Sequence, residues 1–137
     1  MMKDKRLYPI CSIMAAVMFV LSFVCCSSQK KIASQNSVER IEFGSGGGYS
    51  GAVKTYTLFR DGTYVMDNGE KKTVDEAVAQ PIFQKATTFT SAYMRPGNTY
   101  NFVRIITAQG EYYYCWEFGD KKIDKNIVEL YKQLRSL

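Results

Sequence analysis

Apolar residues are concentrated in one continuous run near the start of the chain. Residues 10–24 are fifteen positions without a charge, and Lys3, Lys5 and Arg6 stand before them. A helix that spans a bilayer needs about 20 apolar residues. A basic start followed by a shorter apolar core is instead typical of an export signal. We predict that residues 1–25 are a signal peptide.

The end of this run resembles the lipobox of bacterial lipoproteins, in which small and apolar residues precede a cysteine that is acylated. Residues 21–28 read Leu-Ser-Phe-Val-Cys-Cys-Ser-Ser. Cys26 fits this pattern better than Cys25 because the residue before Cys26 is small, and Phe23 departs from the pattern. The resemblance implies attachment to a membrane through acyl chains on Cys26, and Ser27 implies the outer membrane. An ordinary secretory signal and a short membrane anchor are the alternatives.

Beyond the signal, polar and strand-like patterns divide the chain. Residues 26–37 are polar, and they predict a flexible tether. Further on, β-branched and aromatic residues lie between turn residues, which is typical of strands. The predicted strands are 38–43, 52–60, 63–67, 99–108 and 111–118. Asp61-Gly62 and Gln109-Gly110 then predict hairpin turns between neighbouring strands.

The first of two predicted helices lies between residues 74 and 89. Its apolar positions recur at intervals of four, four and three: Val78, Ile82, Ala86 and Phe89. Pro81 interrupts this pattern, and proline is disruptive inside a helix. We therefore expect the helix to begin near Gln80 or to kink there.

The second predicted helix follows Asp124, an N-cap residue type. Its apolar stripe is Ile127, Leu130, Tyr131, Leu134 and Leu137. The strand before it places aromatic residues on one face, which we expect to be buried: Tyr112, Tyr114, Trp116 and Phe118. The prediction for residues 38–137 is a single α+β domain in the order β-β-β-α-β-β-α. An antiparallel sheet of about five strands carries the two helices on one face.

The formal net charge of +5 is unevenly distributed along the chain. Residues 1–25 carry three basic side chains and one acidic side chain, and Lys30 and Lys31 lie in the tether. Residues 38–137 contain 13 basic and 12 acidic side chains, a net charge of only +1. A protein that binds nucleic acid carries its positive charge on the folded surface. We therefore predict no nucleic-acid partner.

The side chains available for catalysis are few. The chain contains no His, which removes His-based triads and His metal sites. Cys11 and Cys25 leave with the signal and Cys26 carries lipid, so Cys115 is the one thiol left in the domain, where a strand pattern predicts a buried residue. The carboxylates show no spacing typical of a catalytic pair. We predict no metal, no cofactor and no enzymatic activity.

A glycine cluster is the most distinctive motif of the chain. Residues 44–51 read Gly-Ser-Gly-Gly-Gly-Tyr-Ser-Gly. They match the dinucleotide-binding fingerprint as Gly46-x-Gly48-x-x-Gly51, but that motif must open a helix and a strand pattern follows here. The match extends to the glycine loop of protein kinases with Val53, yet the other kinase motifs are absent from this sequence. We reject both nucleotide-binding interpretations.

Two interpretations of the cluster remain. In one, the glycines form a connection that needs positive φ angles. In the other, exposed backbone admits a partner closely and an aromatic side chain anchors it. The predicted contact surface is then Gly46, Gly47, Gly48, Tyr49, Ser50 and Gly51, with Tyr93, Arg95 and Asn98 from a second loop.

Residues 45–51, Ser-Gly-Gly-Gly-Tyr-Ser-Gly, resemble the SGGFAG-like segment of emfourin-type inhibitors of thermolysin-like metalloproteases. The chain has an extra glycine and Tyr49 in place of the usual Phe. With Pro96-Gly97-Asn98 and Trp116, the chain also resembles small lipoproteins of Gram-negative bacteria. The second resemblance implies only a fold and a location in the cell envelope. From the lipobox, the lack of catalytic groups and the glycine loop, we predict a membrane-anchored envelope lipoprotein with a small, non-catalytic binding domain and a protein partner. The alternative is an emfourin-like inhibitor that uses the glycine loop.

Overall fold

The computed structural model describes residues 37–137, which form seven strands and two helices. The strands are β1 (Val38–Gly47), β2 (Val53–Phe59), β3 (Thr63–Val65), β4 (Lys71–Thr73), β5 (Tyr93–Arg95), β6 (Thr99–Thr107) and β7 (Gly110–Glu117). The helices are α1 (Glu76–Ala86) and α2 (Lys125–Arg135). The predicted α+β class is confirmed. The predicted signal, the lipid site Cys26 and nearly all of the tether lie outside the described residues.

All seven strands belong to one sheet, in the order β4-β3-β2-β1-β6-β7-β5. The long strand β1 is central and pairs antiparallel with β2 on one side and with β6 on the other. The one parallel pair is β5 with β7. The five predicted strands correspond to β1, β2, β3, β6 and β7, and they pair antiparallel as expected. The sheet as a whole is mixed and has seven strands, so the prediction of an antiparallel sheet of about five strands is correct only in part.

The two strands that the pattern missed are three-residue strands at the edges of the sheet. β4 is Lys-Lys-Thr and is exposed throughout, so it has no apolar residue that could signal a strand. β5 lies where a loop was predicted, and it pairs with β7 along Tyr93, Met94 and Arg95. Pairing between backbones, and not side-chain burial, defines both strands.

The glycine cluster is also divided differently from the prediction. β1 does not end at Phe43 but continues through Gly44, Ser45 and Gly46 to Gly47. A side chain would not fit at two of these positions. A Cβ at Gly44 would overlap the Lys54 carbonyl group, and one at Gly46 would lie 2.7 Å from the Tyr100 hydroxyl oxygen. These glycines therefore let neighbouring groups approach the backbone of β1 closely.

Helix α1 begins at Glu76, and its buried face agrees with the prediction at Ile82 and Ala86 but not at Val78. Asp75 caps it by accepting a hydrogen bond from the backbone N–H of Ala77, 2.9 Å away. Pro81 lies inside the helix, so the expected start near Gln80 is wrong. Val78 is 48% exposed, and the buried residues are Ala79, Ile82, Phe83 and Ala86. Ile82, Ala86 and Phe89 were predicted from the spacing, whereas burial of Ala79 and Phe83 was not.

Helix α2 follows its prediction closely. The Asp124 side chain accepts from the backbone N–H of Asn126 at 2.8 Å, and Ile127, Leu130 and Leu134 are fully buried. Both helices contribute to one core cluster, which packs against the strand face that carries Ile41, Phe43, Leu58, Val103 and Ile105. Neither helix in residues 37–137 is long and apolar enough to cross a membrane.

The opposite face of the sheet has a smaller buried group of its own. Phe102 and Cys115 are cross-strand partners on this face and are 6% and 3% exposed. Around them, the Arg104 guanidinium lies 4.9 Å from the Tyr113 ring and 3.3 Å from the Glu42 carboxylate. The expectation that Cys115 is buried is confirmed.

Candidate functional site

The predicted contact residues lie at one end of the sheet, which is set by the strand directions. β1 runs toward this end, so the chain turns there from β1 into β2. β6 begins there, and β5 and β7 end there, because β7 is antiparallel to β6 and β5 is parallel to β7. We call this region the turn end, made up of residues 48–52, 96–98 and 118–120.

Gly47, the last residue of β1, and three glycines of the turn end, Gly48, Gly51 and Gly119, have positive φ angles that other residues rarely adopt. Gly47 has a φ of 91° and Gly48 a φ of 76°. The Gly48 N–H donates to the Asn98 carbonyl oxygen at 2.7 Å, and the Gly51 N–H donates to the Gly48 carbonyl oxygen at 3.1 Å. The structure therefore brings Asn98 onto the glycine cluster through backbone groups. These bonds hold the turn against the start of β6.

Tyr49 lies at the tip of this turn and is fully exposed. Gly48 before it contributes no side chain, and Ser50 after it has only a small one, so neither covers its ring. Phe118, immediately after β7, is 79% exposed, and its backbone N–H donates to the Thr99 carbonyl oxygen at 3.2 Å. Thr99 also pairs with Gly47. Two exposed aromatic rings therefore lie on either side of the start of β6.

The expectation that Phe118 is buried with the other aromatic residues of β7 is wrong. Tyr114 and Trp116 are buried, and Tyr112 is partly buried. β7 ends at Glu117, one residue before Phe118, so the alternation of faces stops there. The signal that could have found this contact residue was the Gly119-Asp120 pair, which marks a turn directly after Phe118.

Tyr93 and Arg95 lie in the edge strand β5, next to the turn end and beyond β7. The Tyr93 hydroxyl donates to the Asp120 carboxylate at 2.7 Å. The pKa of Asp120 is lowered, first by the backbone N–H of Lys122 and then by this hydroxyl, with Arg95 nearby adding to the effect. The structure therefore uses Tyr93 and Arg95 to order the turn after β7, and does not bring them to the glycine cluster.

A shallow cleft of about 590 Å³ lies beside the glycine turn, on the face that carries the helices. Its floor is a row of cross-strand partners, Lys54, Ser45 and Asn101. Tyr131 of α2 donates its hydroxyl to the Asn101 side-chain oxygen at 3.1 Å, and burial raises the pKa of Tyr131. Arg135, one turn further along α2, completes this wall of the cleft.

The described residues contain little that suggests catalysis. In the range 37–137, no three His, Cys, Asp or Glu side chains are grouped so as to hold a metal ion. Burial raises the pKa of the Cys115 thiol, which disfavours the reactive thiolate. The pKa of Asp61 is lowered by the backbone N–H of Thr63, which is opposite to the shift that a general acid needs.

Comparisons with known protein families, with curated proteins and with solved structures found no match to this chain. The geometry of the turn end is therefore the basis for a function.

Proposed function

We propose that this protein is a lipid-anchored envelope protein, attached to the outer membrane through Cys26, whose domain binds a protein partner at the turn end without catalysing a reaction. The observation that carries the proposal is the pair of exposed aromatic rings of Tyr49 and Phe118. Aromatic side chains are enriched among the residues that dominate binding energy at protein interfaces. Most other large apolar side chains of the described residues lie in the core cluster or against it.

The backbone of the turn supports this use of Tyr49. Its hydrogen bonds to Asn98 and within the turn hold the tip in one conformation, so little conformational entropy is lost on binding. Gly47 and Gly48, directly before Tyr49, have no side chains that could cover the backbone on that side of the ring. A partner can therefore contact both the ring and the peptide groups beside it.

The direction of β1 supports the combination of an anchor and a contact surface. β1 begins at Val38, directly after the predicted tether, and its ten residues lead to the turn end. At about 3.3 Å per residue, the strand separates its two ends by roughly 30 Å. A chain held at Cys26 enters the domain at one end of the sheet and presents its exposed aromatic residues at the other.

The anchor is tested by metabolic labelling of cells with a fatty-acid analogue. We expect label on the wild-type chain and on Cys25→Ser, and loss of label on Cys26→Ser. Cys25→Ser is the matched control because it leaves a small residue before Cys26. Absence of label from the wild type, or equal label on Cys26→Ser, would contradict the assignment.

The contact surface is tested by affinity capture of envelope proteins with the full chain purified in detergent. The Tyr49→Ser/Phe118→Ser variant is expected to lose a partner that the wild type retains, by at least about tenfold in yield. Val78→Ser is the control, since Val78 is an exposed apolar residue of α1. Thermal unfolding of all variants checks that the fold is kept. The same protein profile from every variant would refute the proposed surface.

Inhibition of a thermolysin-like metalloprotease is a narrower form of the same proposal. The specific observation that favours it is a hairpin tip with one exposed aromatic ring, a shape that can enter a protease cleft. Titration of such a protease with the full chain is expected to lower its activity, and Tyr49→Ser is expected to relieve this inhibition. Unchanged protease activity at excess chain would remove the inhibitor function and leave the binding function in place.

A further inference from the structure

The cleft beside the glycine turn has an uncompensated positive charge. Its twelve lining residues include Lys54 and Arg135 and no Asp or Glu. The domain as a whole is nearly neutral, so this local excess is a property of the cleft and not of the composition. Positive charge in a concave site attracts an anionic group.

The two basic side chains are not neutralised elsewhere in the described part of the chain. Arg40 and Arg104 pair with Glu42, and Lys85 pairs with Glu129. No carboxylate in residues 37–137 forms such a pair with Lys54 or Arg135. The main-chain oxygen of Leu137 is close to Arg135 in sequence, but its partner is Lys72, whose ammonium group donates a hydrogen bond to it.

Arg135 is held in place without a charged partner. Its guanidinium lies 4.9 Å from the centre of the Tyr56 ring, and its interaction with the Tyr56 side chain raises the pKa of Arg135. A guanidinium has five N–H donors in a fixed planar arrangement that fits a carboxylate. An arginine oriented by an aromatic ring loses less side-chain entropy when it binds such a group.

The remaining lining residues favour a protein segment as the source of the anion. Ser45, Ser50 and Asn101 bring hydroxyl and amide groups to the cleft, and the exposed ring of Phe118 lies at its rim. A peptide can place a carboxylate near Arg135 and an apolar side chain on Phe118 at the same time. An isolated phosphate uses only the first of these contacts.

We infer that this cleft binds an acidic segment of the protein partner, with a carboxylate held by Lys54 and Arg135 and a neighbouring apolar side chain on Phe118. The inference rests on the proposed function, because it names the chemistry of the partner that contacts the turn end. If the segment is acidic, both electrostatic attraction in the cleft and contact with the exposed aromatic rings determine which partner is bound.

The test is the fluorescence anisotropy of two labelled peptides with the full chain in detergent. One peptide is acetyl-Phe-Asp-Glu-Asp-amide, and the other is its uncharged analogue acetyl-Phe-Asn-Gln-Asn-amide. We expect the acidic peptide to bind at least about tenfold more tightly, and added salt to weaken this preference. Equal affinity, or binding of neither peptide, would overturn the inference. So would competition by inorganic phosphate as strong as that by unlabelled acidic peptide.

Two double variants test whether the preference for the acidic peptide depends on the basic residues of the cleft. Lys54→Gln/Arg135→Gln is expected to abolish the preference for the acidic peptide. Lys121→Gln/Lys132→Gln, which removes the same charge from exposed positions outside the cleft, is expected to keep it. Equal loss in both variants would show a general charge effect and overturn the inference. Failure here, with capture still dependent on Tyr49 and Phe118, would leave the proposed function standing.

Discussion

Gly47 occupies a position where both backbone angle and space exclude a side chain. Its φ of 91° lies in the region that favours glycine, and a Cβ would overlap the Asn98 carbonyl oxygen. Gly51 has a φ of 62°, but nothing lies within 4 Å of its Cβ position. A comparison of alanine substitutions at these two positions therefore distinguishes the free-energy cost of the backbone angle from the cost of steric overlap.

We predict that Gly47→Ala destabilises the protein considerably more than Gly51→Ala. The left-handed conformation alone costs about 1–2 kcal/mol, which is the expectation for Gly51→Ala. Gly47→Ala must also displace the backbone at Asn98, so we expect a loss above about 3 kcal/mol. Urea unfolding of both variants measures the difference. Equal losses would show that the contact between Gly47 and Asn98 does not constrain the turn.

Tyr113 gives a prediction for alkaline pH. Burial, followed by its interactions with Cys115, raises the pKa of Tyr113 from 10.0 to about 12. Between these two values the unfolded chain has lost the phenol proton and the folded chain keeps it, so the free energy of unfolding falls as pH rises. Tyr113→Phe should reduce this fall, measured by urea unfolding from pH 9 upward. An unchanged pH profile in Tyr113→Phe would contradict the assignment.

Helix α1 contains a proline that removes one of the backbone hydrogen bonds of the helix. Pro81 lies in the helix interior, where a proline has no N–H for the carbonyl group four residues earlier. The Asp75 cap and the burial of Ile82 and Phe83 nevertheless keep the segment helical. Tertiary packing therefore outweighs local preference in this element.

We predict that Pro81→Ala stabilises the protein by about 1 kcal/mol. The gained backbone hydrogen bond favours the folded state, while the greater freedom of the unfolded chain offsets part of the gain. Thermal and urea unfolding measure the change, with Ala77→Gly, an exposed position of the same helix, as a destabilising reference. A Pro81→Ala variant less stable than wild type would show that the proline ring itself is required for packing.

At the scale of elements, sequence patterns predicted the helices and strands that are defined by buried side chains. The Asp124 cap, the stripe of α2 and the hairpin strands were accessible because cap residues, apolar periodicity and turn residues signal them. Strands β4 and β5 were not, since three-residue edge strands depend on backbone pairing and carry too few buried side chains to show a pattern. The extension of β1 through Gly44 and Gly46 was hidden because glycine normally weakens a strand.

At the scale of the whole molecule, the candidate site depends on the direction of strands. Sequence motifs indicated Tyr49 and Asn98, but Phe118, Lys54 and Arg135 come from segments that meet only once β2, β7 and α2 are placed around β1. A local sequence pattern does not show which distant segments lie next to each other in the folded protein. The turn end and its cleft are thus products of the topology, and the functional proposal rests on them.

The most direct test of the turn end as a binding surface is site-specific photo-crosslinking in intact cells. A benzophenone amino acid replaces Tyr49 or Phe118, and Gln109, an exposed turn residue at the other end of the sheet, is the control position. We predict that positions 49 and 118 crosslink to the same protein and that position 109 does not. Absence of a product at position 49, or the same product from position 109, would contradict the account.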